Sequence, residues 1–171
     1  MSNKILVVYA TKAGSTAEVA EAVGEELRNA GLDVDVCKTK EVKDLVSYQG
    51  IVLGTAVRMG RPISGSVKFA KKHRKTLSQK PVAFFTVGLV LNKDTPENRE
   101  KAAGFLAPLR EIVEPIDFAT FAGKLDFSTI GPLFRFAFSK SNDENMTEGD
   151  WRNWEEIRSW AANLPAVLFP A

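Results

Sequence analysis

The sequence predicts an α/β fold built on a doubly wound, five-stranded parallel sheet with helices on both faces. Residues 5–10, 51–55 and 82–87 are short, nearly continuous apolar runs, as strands read when both faces of a sheet are covered. Amphipathic stretches of helical period lie between them. The two kinds of segment alternate along the chain, which calls for parallel strands joined by right-handed crossovers.

The first strand, 5–10, opens the fold. In the following stretch, 16–30, Val19, Ala20, Val23 and Leu27 fall on one helical face and Gly31 supplies a stop. Residues 32–37 alternate Leu32, Val34 and Val36 against Asp33 and Asp35, the pattern of a more exposed edge strand. The third strand is 51–55. Ser64 then opens a helix that carries Val67, Ala70 and Leu77. After the fourth strand, 82–87, Thr95, Pro96 and Glu97 form a cap and first turn before Phe105, Leu106, Leu109 and Ile112. The fifth strand spans about 116–125. The last helix carries Trp154, Ile157, Ala161 and Leu164 on one stripe, with Asp150 as its expected cap.

Residues 126–149 are the least regular part. Phe134, Phe136 and Phe138 alternate like a strand, whereas Pro132 at a first-turn position before Leu133, Phe134 and Ala137 suits a short apolar helix, which is the favoured reading. The expected organisation is one domain, 1–171, carrying an apolar insertion at about 126–149, with no repeat or linker.

Composition excludes several classes of function. The chain has 171 residues, 44% hydrophobic and 26% charged, with one cysteine and one histidine. Cys37 alone leaves no internal disulfide, no Cys-x-x-Cys pair and no Cys/His metal cluster, so redox chemistry requires an organic cofactor. A net charge of +2 is too small to signal nucleic-acid binding, and no acidic excess is present. No window approaches the roughly 18 apolar residues of a membrane span and no signal-peptide core opens the chain, so a cytoplasmic location is expected.

In open α/β sheets ligands bind beyond the carboxyl ends of the strands. There, after the first strand, stand Thr11, Lys12, Ala13, Gly14, Ser15 and Thr16: three hydroxyls and a glycine between a strand and a helix start. Backbone N–H groups of such a turn converge on an anion, Gly14 admits close approach, and the hydroxyls donate further bonds, which suits a phosphate monoester. An ordinary strand–helix turn with a hydroxyl cap is the plainer reading. Other glycine motifs are excluded: there is no Gly-x-Gly-x-x-Gly after a strand, and residues 60–66 mimic a Walker loop but place Ser66 where lysine is needed.

At these residues the sequence resembles the flavodoxin family, whose phosphate loop is a hydroxyl-rich turn after the first strand. Its nearest likeness is to the subgroup of flavodoxin-type, menaquinone-dependent protoporphyrinogen dehydrogenases, carried by Tyr9-Ala10-Thr11-Lys12-Ala13-Gly14-Ser15-Thr16, Gly54-Thr55-Ala56-Val57-Arg58-Met59-Gly60, Phe121-Ala122-Gly123 and Gly149-Asp150-Trp151-Arg152-Asn153-Trp154. The resemblance implies strand order 2-1-3-4-5 and FMN as cofactor. It assigns Thr11, Lys12, Ala13, Gly14, Ser15 and Thr16 to the phosphate. Thr55, Ala56, Val57, Arg58, Met59 and Gly60 would lie on one side of the isoalloxazine, and Gly88, Leu89, Val90, Leu91 and Asn92 on the other. Many flavodoxins sandwich the ring between tryptophan and tyrosine, and these loops offer neither. Arg58 or Arg61, with Lys12 and Lys93 more distant, would raise the potential and favour two-electron chemistry, unless solvent screens them as ordinary loop cations.

The remaining candidates read as structural. His73 sits among lysines and arginine on a solvated helix face, Cys37 packs as a small apolar group, and the tryptophans of the last helix pack on the sheet. The 127–138 phenylalanines either cap the sheet or present an apolar surface to a porphyrin, a quinone or a membrane. The leading function is therefore an FMN oxidoreductase passing electrons from a porphyrinogen-type donor to a quinone, with no catalytic side chain named and peripheral membrane contact open. A flavodoxin-like electron carrier between redox partner proteins is the alternative, and a non-catalytic binding module the third reading.

Overall fold

The computed structural model describes residues 3–12, 14–129, 131–140 and 148–171. Five parallel strands make the main sheet: β1 (Lys4–Ala10), β2 (Asp33–Lys38), β3 (Gly50–Arg58), β5 (Val82–Gly88) and β6 (Asp117–Ala122). Their order is β2-β1-β3-β5-β6, which is the expected 2-1-3-4-5 with β5 and β6 as the fourth and fifth parallel strands. A two-residue strand, β4 (Arg61–Pro62), folds back antiparallel on the end of β3, and β7 (Lys124–Leu125) pairs antiparallel with β8 (Gly149–Asp150).

Successive side chains of a strand point to opposite faces, so β1 feeds two cores. Ile5 and Val7 join Val19, Val23 and Leu27 of α1 (Ser15–Asn29) and Ile157, Ala161 and Leu164 of α7 (Trp154–Leu168). Leu6 and Val8 join Phe69 and Ala70 of α2 (Ser64–Lys72), Leu77 of α3 (Arg74–Leu77) and Leu109 of α5 (Ala107–Arg110) on the other face. Leu27, Ile157 and Leu109 are completely buried, and truncating any of them to alanine costs about 2–5 kcal/mol. Gly54 in β3 is required by packing: a Cβ there would lie 2.1 Å from the Phe85 ring.

Several element boundaries differ from expectation, each for a local reason. The helix opened by Ser64 stops at His73, whose ring packs on Phe69 at 4.7 Å between centroids, and restarts as α3. His73 is thus half-buried rather than part of a solvated face. The stretch after Thr95 divides into α4 (Pro96–Gly104) and α5, because Pro108 suits only the first turn of a new helix. Thr95 caps α4 as expected, accepting from Asn98 N at 3.1 Å. The last helix is capped by Asn153, which accepts from Glu156 N at 3.1 Å, and not by Asp150, whose carboxylate is taken by Arg152. The fifth strand ends at Ala122: Gly123 lies against the Gly88 backbone, with room for a Cβ only at 3.4 Å, and the chain then leaves the sheet as β7. Pro132 opens the short helix α6 (Pro132–Ser139), as favoured. Trp160 packs against Phe85 and Phe121 and donates its indole N–H to Asp117, a core role. Cys37 packs on the α2 side of the sheet, and burial pushes its thiol pKa up.

Candidate functional site

The register aligns the carboxyl ends of the strands, pairing Ala10 with Thr55, Ala56 with Val87 and Gly88 with Ala122. The loops that leave β1, β3 and β5 therefore sit along one edge. The two cores that hold these strands fix the loops' separation, so the site inherits its geometry from the sheet.

The first loop turns at Gly14, which has φ 88° and open space where a Cβ would stand. That left-handed conformation is the reason for glycine here. Gly14 N donates to Thr11 Oγ1 at 3.1 Å, which closes the turn. Gly14 is also the N-cap of α1, and no side chain caps the helix, so its positive end faces the loop. Lys12 is exposed, Ser15 half-buried and Thr16 wholly buried, with its hydroxyl lacking any hydrogen-bond partner among the described residues. Ala13 lies outside the described residues.

In the second loop Thr55, Ala56, Val57 and Arg58 are still strand, and the chain reverses at Met59 and Gly60 with φ 52° and 75°. Positive φ at both central residues makes a two-residue hairpin turn of the kind whose twist suits a strand pair. It places Arg58 opposite Arg61 on one face and leaves Met59 at the tip, 99% exposed. Thr55 is fully buried, and its hydroxyl donates to Ala56 O at 2.9 Å, so its polar group is already engaged within the strand end.

In the third loop Gly88 ends β5 with Val57 beside it, where a Cβ would meet Val57 Cβ at 3.3 Å. Leu89, Val90, Leu91 and Asn92 form one turn of 3-10 helix. Leu91 points into the protein, 4% exposed, whereas Leu89 and Val90 are half-buried. Both polar atoms of the Asn92 amide are buried without a partner among the described residues.

Buried polar groups are nearly always hydrogen-bonded, and each orphan costs about 1–3 kcal/mol. Thr16 and Asn92 are orphans in two different loops of the same edge, which is what a site built for a bound polar molecule shows when the protein is considered alone. The residues fit a phosphate monoester at the first loop and a hydrogen-bonding planar group at the third. Among the described residues no cluster of His, Cys, Asp or Glu is arranged to hold a metal. His73, at the far end of α2 from β3, lies toward the opposite edge of the sheet.

A further group, Asp150, Arg152 and Trp154, stands beside the first loop. Arg152 has a side chain only 4% exposed and forms a fork with Asp150, Nε to Oδ1 at 2.9 Å and Nη2 to Oδ2 at 2.8 Å. The same guanidinium bonds Glu18 in the first turn of α1, reaches Ser15 O at 3.5 Å and lies 4.7 Å over the Trp154 ring. The fork holds the Asp150 carboxyl below its ordinary pKa. Gly14, Ser15 and Glu18 line a 110 Å³ cavity together with Lys124, Asp126 and Thr129, so the chain just after the fifth parallel strand stands at the first loop. Contacts spanning over 130 residues carry no signature in local spacing.

A parallel sheet in this order, with a hydroxyl-rich turn after its first strand and two further loops at the same edge, defines a nucleotide-binding protein of the flavodoxin type. The flavodoxin-domain family model matches residues 6–152, and the chain belongs to that family. It is 27% identical over 172 residues to protoporphyrinogen IX dehydrogenase [quinone] of Escherichia coli (strain K12), covering 94% of each chain. It is 25% identical over 181 residues to the Leishmania major protein of the same name, covering 97% of this chain and 76% of that one. Among solved structures, a flavodoxin from the domain Archaea superposes with a TM-score of 0.58 at 18% identity, covering 96% of this chain and 98% of the other. Family membership and the geometry of the edge together support FMN binding.

Proposed function

We propose that this protein is an FMN-dependent oxidoreductase that takes two electrons from a porphyrinogen-type donor and passes them to a quinone. The observation that carries the cofactor assignment is the pair of orphaned buried groups, Thr16 Oγ1 and the Asn92 amide, in two loops of one edge. The likeness to two protoporphyrinogen dehydrogenases, each spanning nearly all of this chain, supports the donor and acceptor classes.

In this reading Thr11, Lys12, Gly14, Ser15 and Thr16, with Ala13, hold the phosphate. Residues 55–60 and 88–92 flank the ring, where Asn92 supplies both a donor and an acceptor. FMN supplies the electron and hydride chemistry that no side chain here can perform. The chain's own part is position and field. Arg58 and Arg61 face each other across the hairpin on one face, an arrangement that favours an anion nearby and so raises the potential of a cofactor that becomes negatively charged on reduction. Met59 at the tip is an apolar, adaptable cover rather than the aromatic lid of many flavodoxins. Helix α6 carries exposed Leu133 and Phe136 and offers an apolar surface to a large flat donor or a membrane face. Phe134 and Phe138 have side chains outside the described set.

The second reading, an electron carrier, is favoured by one observation: the archaeal flavodoxin superposes over almost its whole length. Anaerobic stepwise reduction of the FMN-loaded protein separates the two. Reduction in a single two-electron step, followed by turnover of a porphyrinogen with a quinone, is the expected result. Two well-separated one-electron steps without porphyrinogen turnover would establish the carrier, and failure to bind FMN would overturn both.

A further inference from the structure

We infer that Arg152 is a positioning residue that sets the phosphate selectivity of the cofactor site, by neutralising Glu18 at the phosphate loop and tying that loop to the 149–152 segment. The inference rests on the FMN reading above and extends it to a residue outside the three loops.

Glu18 is one turn beyond Gly14 and shares the 110 Å³ cavity with Gly14 and Ser15. A bare carboxylate there would oppose a phosphate dianion and cancel the benefit of the helix end. The buried guanidinium of Arg152 meets that carboxylate and the Asp150 carboxylate together, and also reaches Ser15 O at the start of α1. Its stacking on Trp154 and the hydrogen bond from Trp151 N to Gly123 O at 3.1 Å fix the segment it stands on. One planar side chain thereby sets both the charge and the position of the first turn of α1, a task suited to arginine's forked geometry.

The test is a comparison of FMN with riboflavin, which lacks the phosphate, on the full chain. Wild type, Arg152→Gln, Arg152→Lys, Glu18→Gln and the Arg152→Gln/Glu18→Gln double variant are titrated by flavin fluorescence, with folding checked by circular dichroism. Arg152→Gln is expected to weaken FMN about tenfold through the uncompensated Glu18 carboxylate, partly screened by solvent, while riboflavin changes less than about threefold. Removing Glu18 in the double variant restores most of the loss, and Arg152→Lys, which keeps the charge but not the fork, lies between wild type and Arg152→Gln. Equal losses for FMN and riboflavin without rescue by Glu18→Gln, or no loss at all, would overturn the inference. Should Arg152→Gln not fold, Glu18→Gln alone decides, with FMN-specific tightening of about threefold expected from the uncovered guanidinium and no FMN-specific change refuting it. A wild-type protein that binds neither flavin would instead refute the cofactor reading itself.

Discussion

Two side chains carry consequences that can be measured singly. The Thr16 hydroxyl is buried with no partner among the described residues, so its desolvation is uncompensated until a ligand supplies the bond. Thr16→Val keeps the shape and removes the polar atom. Urea denaturation should show the apo-protein more stable by about 1 kcal/mol, while FMN affinity falls by roughly the tenfold that one hydrogen bond to a charged group is worth. A variant less stable in the apo form would mean that the hydroxyl is satisfied in the free protein. His73 is the only histidine, and burial against Phe69 holds its pKa below the ordinary value. Between that depressed value and the unfolded value of about 6.5 the unfolded chain binds a proton that the folded chain does not. Stability is therefore full above pH of about 6.5 and falls as the pH drops through the window. His73→Gln should flatten this slope in apo-protein denaturation curves; an unchanged slope would assign it to other groups. The apo form is required because a phosphate monoester titrates near pH 6 as well.

At the scale of an element, α6 stands apart from α1, α2 and α7, which bury their apolar faces in the two cores. Leu133 is 87% and Phe136 62% exposed, and the Lys140 ammonium lies 4.3 Å from the Phe136 ring centroid. Side chains that bury so little contribute little to folding. Leu133→Ser/Phe136→Ser should leave stability within about 0.5 kcal/mol, yet raise KM for an apolar porphyrinogen severalfold with kcat unchanged. Steady-state kinetics with detergent-solubilised donor measures this, and an unaltered KM would remove α6 from donor recognition. The hairpin from Arg58 to Arg61 makes the corresponding point for charge: neutralising Arg61 alone should lower the two-electron potential by about 30 mV, equivalent to about 1.4 kcal/mol, in a dye-equilibrated titration. A shift below the error of the titration would show that solvent screens the pair.

At the scale of the molecule, the two cores and the ligand-binding edge are separate sources of stability. The cores are closed and need no ligand, whereas the edge holds orphaned groups that a bound molecule would satisfy. A ligand that binds only the folded form stabilises it by mass action, about 2.7 kcal/mol at one hundred times Kd. For a chain of this length that is roughly 5–10 °C in Tm. Calorimetry of the apo-protein with and without FMN should show this shift, smaller with riboflavin, and an equal shift for both would mean that the phosphate loop contributes nothing. Helix α7 also docks on α1 through Arg158 with Glu25 and Glu26, and the segment just before α7 does so through Arg152 with Glu18. The acidic face of α1 is thereby partly consumed inside the molecule instead of being offered to a partner.

The alternation of apolar runs with helical stripes was enough to place all five parallel strands and the helices around them, because burial on two faces of a sheet imposes its period directly on residues such as Ile5 to Val8 and Val82 to Val87. The turn at Gly14 and the cap at Thr95 were equally legible, since each depends on the conformational or hydrogen-bonding habits of single residues near in sequence. What sequence reading missed depends on which partner a side chain meets once the chain is packed, whether near or far in sequence. Asp150 reads as a helix cap until Arg152 takes its carboxylate, His73 reads as solvated until it packs on Phe69, and Asp126 and Thr129, at the start of the 126–149 insertion, line a cavity with Gly14, Ser15 and Glu18. Local propensity records the energy of a residue with its neighbours, while pairing between distant segments is decided only when the assembled sheet brings Gly123 against Gly88 and α7 against α1, and with them Arg152 to the first turn of α1.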